Sequence, residues 1–395
     1  MELRLSERMN YLKASEIREL LKLTEQPDII SFAGGLPAPE LFPIEQLKLI
    51  SHKVLDVEGK NALQYGPTEG YTPLRKIIAE QRMKAVGVNV SFENILITNG
   101  SQQGLDFIGR VFLDKDDVVI CESPSYLGAI NAFRAYMPKF VEIPMDDDGM
   151  IVEELEKAIE KYPNAKFIYT IPDFQNPTGK TLSYERRVKM LQLAEKYNIP
   201  IVEDNPYGEL RFEGEHIPTI KSMDKNGLVI YLGTFSKTFC PGLRLGWICA
   251  EIEMLNKFII VKQGADLQSS SISQREAAFF MTTYSLEEHI EKIKAIYRKR
   301  RDLMIEMIKS EFPEEVKYTY PHGGLFTWVS LREDIDTAEL LKTALLEKVA
   351  FVPGGSFFPN GGHPNHFRLN FSNMTEEKIV EGMKRLGKVL KEVYR

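Results

Sequence analysis

Through the middle of the chain, runs that are apolar at nearly every position alternate with stretches that are apolar at every third or fourth. Residues 94–98, 117–121, 167–171, 199–203 and 228–232 are of the first kind and predict strands buried on both faces. Residues 183–197 are of the second kind and predict an amphipathic helix. Repetition of this pair predicts an α/β fold with a mainly parallel sheet covered by helices. Ligands of such sheets sit beyond the carboxyl ends of the strands.

The two ends of the chain read differently. Residues 8–24 predict a helix, followed by the Gly/Pro loop Ser31-Phe-Ala-Gly-Gly-Leu-Pro-Ala-Pro39. Residues 287–309 predict a long charged helix leading into a second α+β unit. The division expected is a large domain over 46–285 and a smaller one built from 1–45 and 286–395.

Composition narrows the partners. The 395 residues suffice for one large core and a second, smaller one. A formal net charge of −6 favours neither nucleic acid nor an anionic membrane. The charged N-terminus lacks the apolar run of a secretory signal, and no apolar stretch nears the roughly 20 residues that cross a bilayer. Three cysteines in no pattern, Cys121, Cys240 and Cys249, fit a reducing interior, so a cytoplasmic protein is expected. Cys240 reads as a packing residue. No metal is expected: the six histidines are scattered, and His363 and His366, in a Gly/Pro/Asn-rich loop, read as structural.

Chemistry gathers at the strand ends. Thr234-Phe-Ser-Lys-Thr-Phe-Cys-Pro-Gly-Leu-Arg244 sets Lys237 among hydroxyls with an arginine close behind. Alone, it could be an ordinary turn carrying a solvated lysine. Asn176-Pro-Thr-Gly179 and Asp204-Asn-Pro-Tyr207 leave two other strands, and Gly100-Ser-Gln a third. Together they describe a pyridoxal phosphate pocket, in which Lys237 forms a Schiff base with the aldehyde while hydroxyls and a guanidinium hold the phosphate.

The ordered set of Asn-Pro-Thr-Gly, Asp-x-x-Tyr, Ser-Lys and Pro-Gly-x-Arg resembles the class I aminotransferases of pyridoxal phosphate fold type I, over essentially the whole chain. Ala14-Ser-Glu-Ile-Arg-Glu-Leu-Leu-Lys-Leu-Thr24, Ser31-Phe-Ala-Gly-Gly-Leu-Pro37 and Leu63-Gln-Tyr-Gly-Pro-Thr-Glu-Gly70 are similar to the 2-aminoadipate and kynurenine aminotransferase II branch. The resemblance implies a seven-stranded large-domain sheet. It also implies ping-pong transfer of an amino group from an amino acid to a 2-oxo acid such as 2-oxoglutarate, with Lys237 as the base. Candidate donors are 2-aminoadipate, glutamate, leucine and aromatic amino acids.

Roles follow from what the cofactor requires. Asp204 would hold the proton on the ring nitrogen, unless it is merely an acidic strand cap, since either it or Glu203 before it could face solvent. Asn176 and Tyr207 would donate to the ring hydroxylate, and Tyr126 matches the aromatic that stacks on the ring. A helix beginning at Ser101 and Gln102 offers free N–H groups to the phosphate; Ser236, Arg244 and Thr234 complete that cup. By resemblance Tyr65 reaches the phosphate of the partner subunit, which makes the protein a homodimer with shared sites. Arg368 matches the fork for the substrate α-carboxylate, Arg18 a clamp for a distal carboxylate, and Gly35 and Asn176 join the substrate site. β-Elimination or decarboxylation on the same frame is the alternative among enzymes. The other alternative is a cofactor-sensing transcription regulator, which requires a winged helix ahead of this unit.

Overall fold

The computed structural model describes residues 4–12 and 28–395. The expected helix at 8–24 falls mostly outside these; its described part holds a 3₁₀ turn, Glu7–Asn10. Arg18 also lies outside the described residues.

The large sheet is formed by β1 (Ile95–Thr98), β2 (Val118–Ser123), β3 (Lys139–Asp146), β4 (Gly149–Met150), β5 (Ala165–Thr170), β6 (Ile201–Asp204), β7 (Val229–Thr234) and β8 (Gly246–Cys249). Their order is β1-β8-β7-β6-β5-β2-β3-β4. The run from β7 to β3 is parallel, while β8 lies antiparallel between β1 and β7. The sheet thus has eight strands rather than seven. The additional one is a two-residue hairpin partner of β3, too short to leave a periodic signal. The five predicted strands are all present, each within two residues of its expected start. The central ones are buried at nearly every position, which explains their unbroken apolar sequence.

A four-stranded antiparallel sheet stands apart, built from β9 (Lys317–Tyr318), β10 (Phe326–Ser330), β11 (Val352–Pro353) and β12 (His366–Asn370) in the order β9-β10-β12-β11. The helix Leu286–Glu311 packs on the helix Glu376–Val393 beside it. Near the start of the chain, Ile30–Ser31 pairs in parallel with Val349–Ala350. The segment leading to Gly35 is therefore tied to the C-terminal unit. His366 opens β12 rather than lying in a loop: its ring stacks on Trp328, and its Nδ1 meets Ser330 Oγ at 2.8 Å. Burial pushes its pKa down to about 4, so it is a neutral packing group.

No helix of the described residues is long and apolar enough to cross a membrane. All three cysteines are free and buried. Among the described residues no cluster of His, Cys, Asp or Glu could hold a metal ion.

Candidate active site

One cavity of about 420 Å³ gathers the side chains that leave the strand ends. From the turn after β1 come Ser101 and Gln102, and from the segment after β2 comes Tyr126. The loop after β5 contributes Asn176; β6 contributes Asp204 at its last position and Tyr207 just beyond. Thr234 ends β7, and Ser236, Lys237 and Arg244 follow it. Arg368 enters from β12, and Gly35 from the N-terminal loop. Tyr65 is not among them: it is 78% exposed on this chain.

Asp204 and Glu203 face opposite sides of the sheet, and neither reaches solvent. Glu203 accepts from the backbone N–H groups of Ile220 and Lys221, behind the sheet. Asp204 Oδ2 accepts from Tyr169 Oη at 2.9 Å, while its Oδ1 is buried without a partner among the described residues. Burial pushes the Asp204 pKa up to about 7. A protonated ring nitrogen is the kind of donor that would satisfy such an atom. Tyr169 escaped the sequence reading because it sits in an otherwise apolar strand; its signal is that a buried tyrosine hydroxyl needs a partner.

Lys237 Nζ donates to Gly35 O at 2.7 Å. Burial, with smaller contributions from Arg368 and Arg244, lowers its pKa to about 8. A neutral amine is therefore available near physiological pH. Beside it, Thr234 Oγ1 accepts from Ser236 N at 3.1 Å and lies 3.0 Å from Ser236 Oγ, so it shapes the turn as well as lining the cavity. Cys240 is buried and its thiol is pushed up to about 12, which leaves it an inert packing group.

Arg368 is 2% exposed, and no carboxylate pairs with it among the described residues. Its Nη1 donates to Asn176 Oδ1 and its Nη2 to Ala33 O, both at 2.7 Å, while Nε has no partner. The Phe326 ring lies 4.1 Å from the guanidinium. A buried cation without a counterion is costly, so the site suits an anionic ligand. Asn176 Nδ2 also donates to Tyr207 Oη at 3.4 Å.

Asn176 sits in a braced loop. Gln175 Nε2 donates to Glu122 Oε2 at 3.0 Å and to Pro124 O at 2.8 Å, and its Oε1 accepts from the hydroxyl and N–H of Thr178. Glu122, on β2, was also missed; burial pushes its pKa up to about 7. At the loop's start, fully buried Arg187 grips both oxygens of Asp173.

The turn after β1 has the form of an anion site. Gly100 has φ +72°, and the helix Ser101–Phe112 begins at the next residue. A side chain at position 100 would be strained, and its Cβ would lie 2.7 Å from Arg244 Nη2. An anion-binding turn, an orphaned carboxylate oxygen, a depressed lysine and an unpaired arginine together match the donor set that pyridoxal phosphate and an α-carboxylate demand.

Comparison with known proteins agrees. Residues 41–386 match the family "Aminotransferase class I and II". The aromatic-amino-acid aminotransferase 1 of Thermococcus litoralis is 48% identical over 98% of this chain and 94% of its own length. The kynurenine aminotransferase of Pyrococcus horikoshii, solved in complex with PMP and with KYN as substrate and KYA as product, is 44% identical. It superimposes with a TM-score of 0.95 over 99% of this chain and 98% of that one. LysN, the α-aminoadipate aminotransferase of Thermus thermophilus, was solved with N-(5'-phosphopyridoxyl)-L-leucine. It is 40% identical, with a TM-score of 0.92 over 99% and 98% of the two chains.

Proposed function

The chain belongs to the class I and II aminotransferases, enzymes of pyridoxal phosphate fold type I, and we propose which of its residues carry that chemistry and on which substrates. The reaction is pyridoxal phosphate-dependent transamination. In our reading an amino acid enters and leaves as its 2-oxo acid, and then a second 2-oxo acid, 2-oxoglutarate foremost, enters and leaves aminated.

Asp204 would hold the ring nitrogen, Asn176 and Tyr207 the ring oxygen, and Tyr126 a ring face. Ser101, Gln102, Thr234, Ser236 and Arg244 would hold the phosphate, joined by the partner subunit's Tyr65. Lys237 would bind the aldehyde carbon covalently. When bound, the cofactor supplies an electron sink for the pair left at a substrate Cα as its proton departs.

The protein's own part is binding, orientation and proton transfer. Arg368 grips the α-carboxylate, helped by Asn176 and Gly35. Once the donor's amino group has displaced it, Lys237 Nζ would take the Cα proton and return it at the former aldehyde carbon, two bonds away; its pKa of about 8 suits both halves of that task. Asp204, once paired with a cationic N–H, stays ionised despite its burial.

The observation that carries this reading is Asp204 Oδ1, an orphaned buried acceptor in the cavity that also holds Lys237. Borohydride reduction of the purified protein should fix a pyridoxyl group on Lys237, readable by peptide mass. A colourless protein with no such adduct would sink the reading.

Aromatic amino acids, kynurenine, 2-aminoadipate, glutamate and leucine are the proposed donors, on the strength of the relatives' substrates and of Arg18. Helix Ile44–Ala62 and its exit leave Leu49, Leu55, Val57, Leu63 and Tyr65 exposed, the kind of patch a second copy covers. We take the protein to be a homodimer on that ground, and cytoplasmic given its free cysteines. The division into 46–285 against 1–45 with 286–395 is supported by the pairing of Ile30–Ser31 with Val349–Ala350.

A further inference from the structure

Behind the turn after β1 lies a polar knot that no step of the chemistry uses. Lys262, on the helix Ile252–Ala265, is fully buried. Its Nζ donates to both oxygens of Asp266 at 2.9 and 3.0 Å, to Gln103 Oε1 at 3.0 Å and to Ser269 Oγ at 3.1 Å, so its three N–H bonds meet three acceptor groups. Asp266 Oδ2 in turn accepts from Asn99 Nδ2 at 2.6 Å and Gln103 Nε2 at 2.8 Å. Gln103 Oε1 also accepts the backbone N–H of Asn99 at 2.9 Å. Asn99 is therefore held by its side chain and its backbone at once, immediately before Gly100.

A buried ion pair is weak evidence for stability, since well-packed apolar residues often serve as well or better. What this one does do is fix a geometry. Residue 100 has the conformational freedom of a glycine, so the direction of the N–H groups and side chains at 101 and 102 depends on how Asn99 is anchored. The knot does not line the cavity, so it can act only through the turn. Just past Asp266, Gln268 Oε1 accepts the backbone N–H of Gly66, so the same segment also holds the loop bearing Tyr65.

We infer that Lys262, Asp266 and Gln103 are positioning residues for the anion-binding turn, setting where Ser101 and Gln102 meet the cofactor's phosphate. The inference rests on the reading of Ser101 and Gln102 as phosphate donors. It makes the knot a determinant of phosphate selectivity.

The test compares two ligands of the full-length, cofactor-free protein: pyridoxal phosphate, and pyridoxal, which lacks the phosphate. Binding is read from visible absorbance. Asp266→Asn and Asn99→Ala should each lower the affinity ratio of phosphate to non-phosphate ligand by about tenfold while leaving pyridoxal binding near wild type. Asn99→Ala keeps the Lys262–Asp266 pair and decides the matter if Asp266→Asn does not fold. An unchanged ratio in Asn99→Ala, or a loss of affinity equal for both ligands, would overturn the inference. If the wild-type protein binds no pyridoxal phosphate, it is the functional reading that fails.

Discussion

Tyr169 Oη reaches from β5 to the end of β6 and donates a 2.9 Å hydrogen bond to Asp204 Oδ2. The bond fixes one carboxylate oxygen and leaves the other without a partner among the described residues. It also favours the ionised carboxylate, against a burial that pushes the Asp204 pKa up to about 7. Tyr169→Phe should therefore raise the proton affinity of Asp204 further and weaken pyridoxal phosphate binding about 10- to 100-fold, since a hydrogen bond to a charged group contributes roughly 1.5–3 kcal/mol. The defect should be larger at pH 7 than at pH 8.5, and the KM for the amino donor should hold. Equal loss at both pH values would contradict the role assigned to Tyr169.

The same carboxylate links cofactor to stability. Because its pKa is raised in the folded protein, the native state binds its proton more tightly than the unfolded chain does. Its contribution is fully present below about pH 4 and fades as pH rises toward about 7. In the cofactor-free protein, Asp204→Asn should flatten the decline of Tm between pH 4 and 7. With cofactor bound, a cationic partner cancels the effect, and the two curves should run parallel. Calorimetry across that range checks both.

The sequence showed the strand-end chemistry because each strand delivers its side chains into one place, so Asn176, Asp204 and Lys237 needed no distant partner to be noticed. It did not show Tyr169, Glu122 or Lys262, whose partners Asp204, Gln175 and Gln103 lie 35, 53 and 159 positions away. Each passes for an ordinary residue until the fold pairs it. Strand β3 went unseen because it lies near the sheet edge with Ile143 as its only fully buried side chain. Strand β8 is four residues long and antiparallel, outside the repeating pattern.

Lys237 carries a pH signature. Only the neutral amine attacks an aldehyde, so capture of pyridoxal phosphate by the cofactor-free protein should speed up with pH and level off above about 8. Arg368 is among the charges that lower this pKa. Arg368→Gln removes it, and the midpoint should move upward. Lys237→Ala should keep the fold, by circular dichroism, yet lose all transamination.

Arg368 offers a fork that an ammonium cannot copy, and its two Nη atoms already point to Asn176 and Ala33. Arg368→Lys should lower kcat/KM for every amino donor about 100-fold, roughly 2.7 kcal/mol. Cofactor affinity should stay within a factor of a few. A variant that instead lost cofactor and kept its kcat/KM would place Arg368 at the wrong ligand.

Tyr65 stands 78% exposed on this chain and lines no part of its cavity, although the proposed site needs it at the phosphate. The proposed second copy would resolve the conflict, and mixing variants tests it. Tyr65→Ala and Lys237→Ala homodimers should each be nearly inactive at limiting pyridoxal phosphate. In a hybrid dimer, one site then combines the intact Lys237 of one subunit with the intact Tyr65 of the other, while the second site collects both defects. Co-refolding the two variants should restore about a quarter of wild-type activity, because half of the dimers are hybrids with one good site each. If Tyr65 served its own subunit, every site would carry a defect and no activity would return.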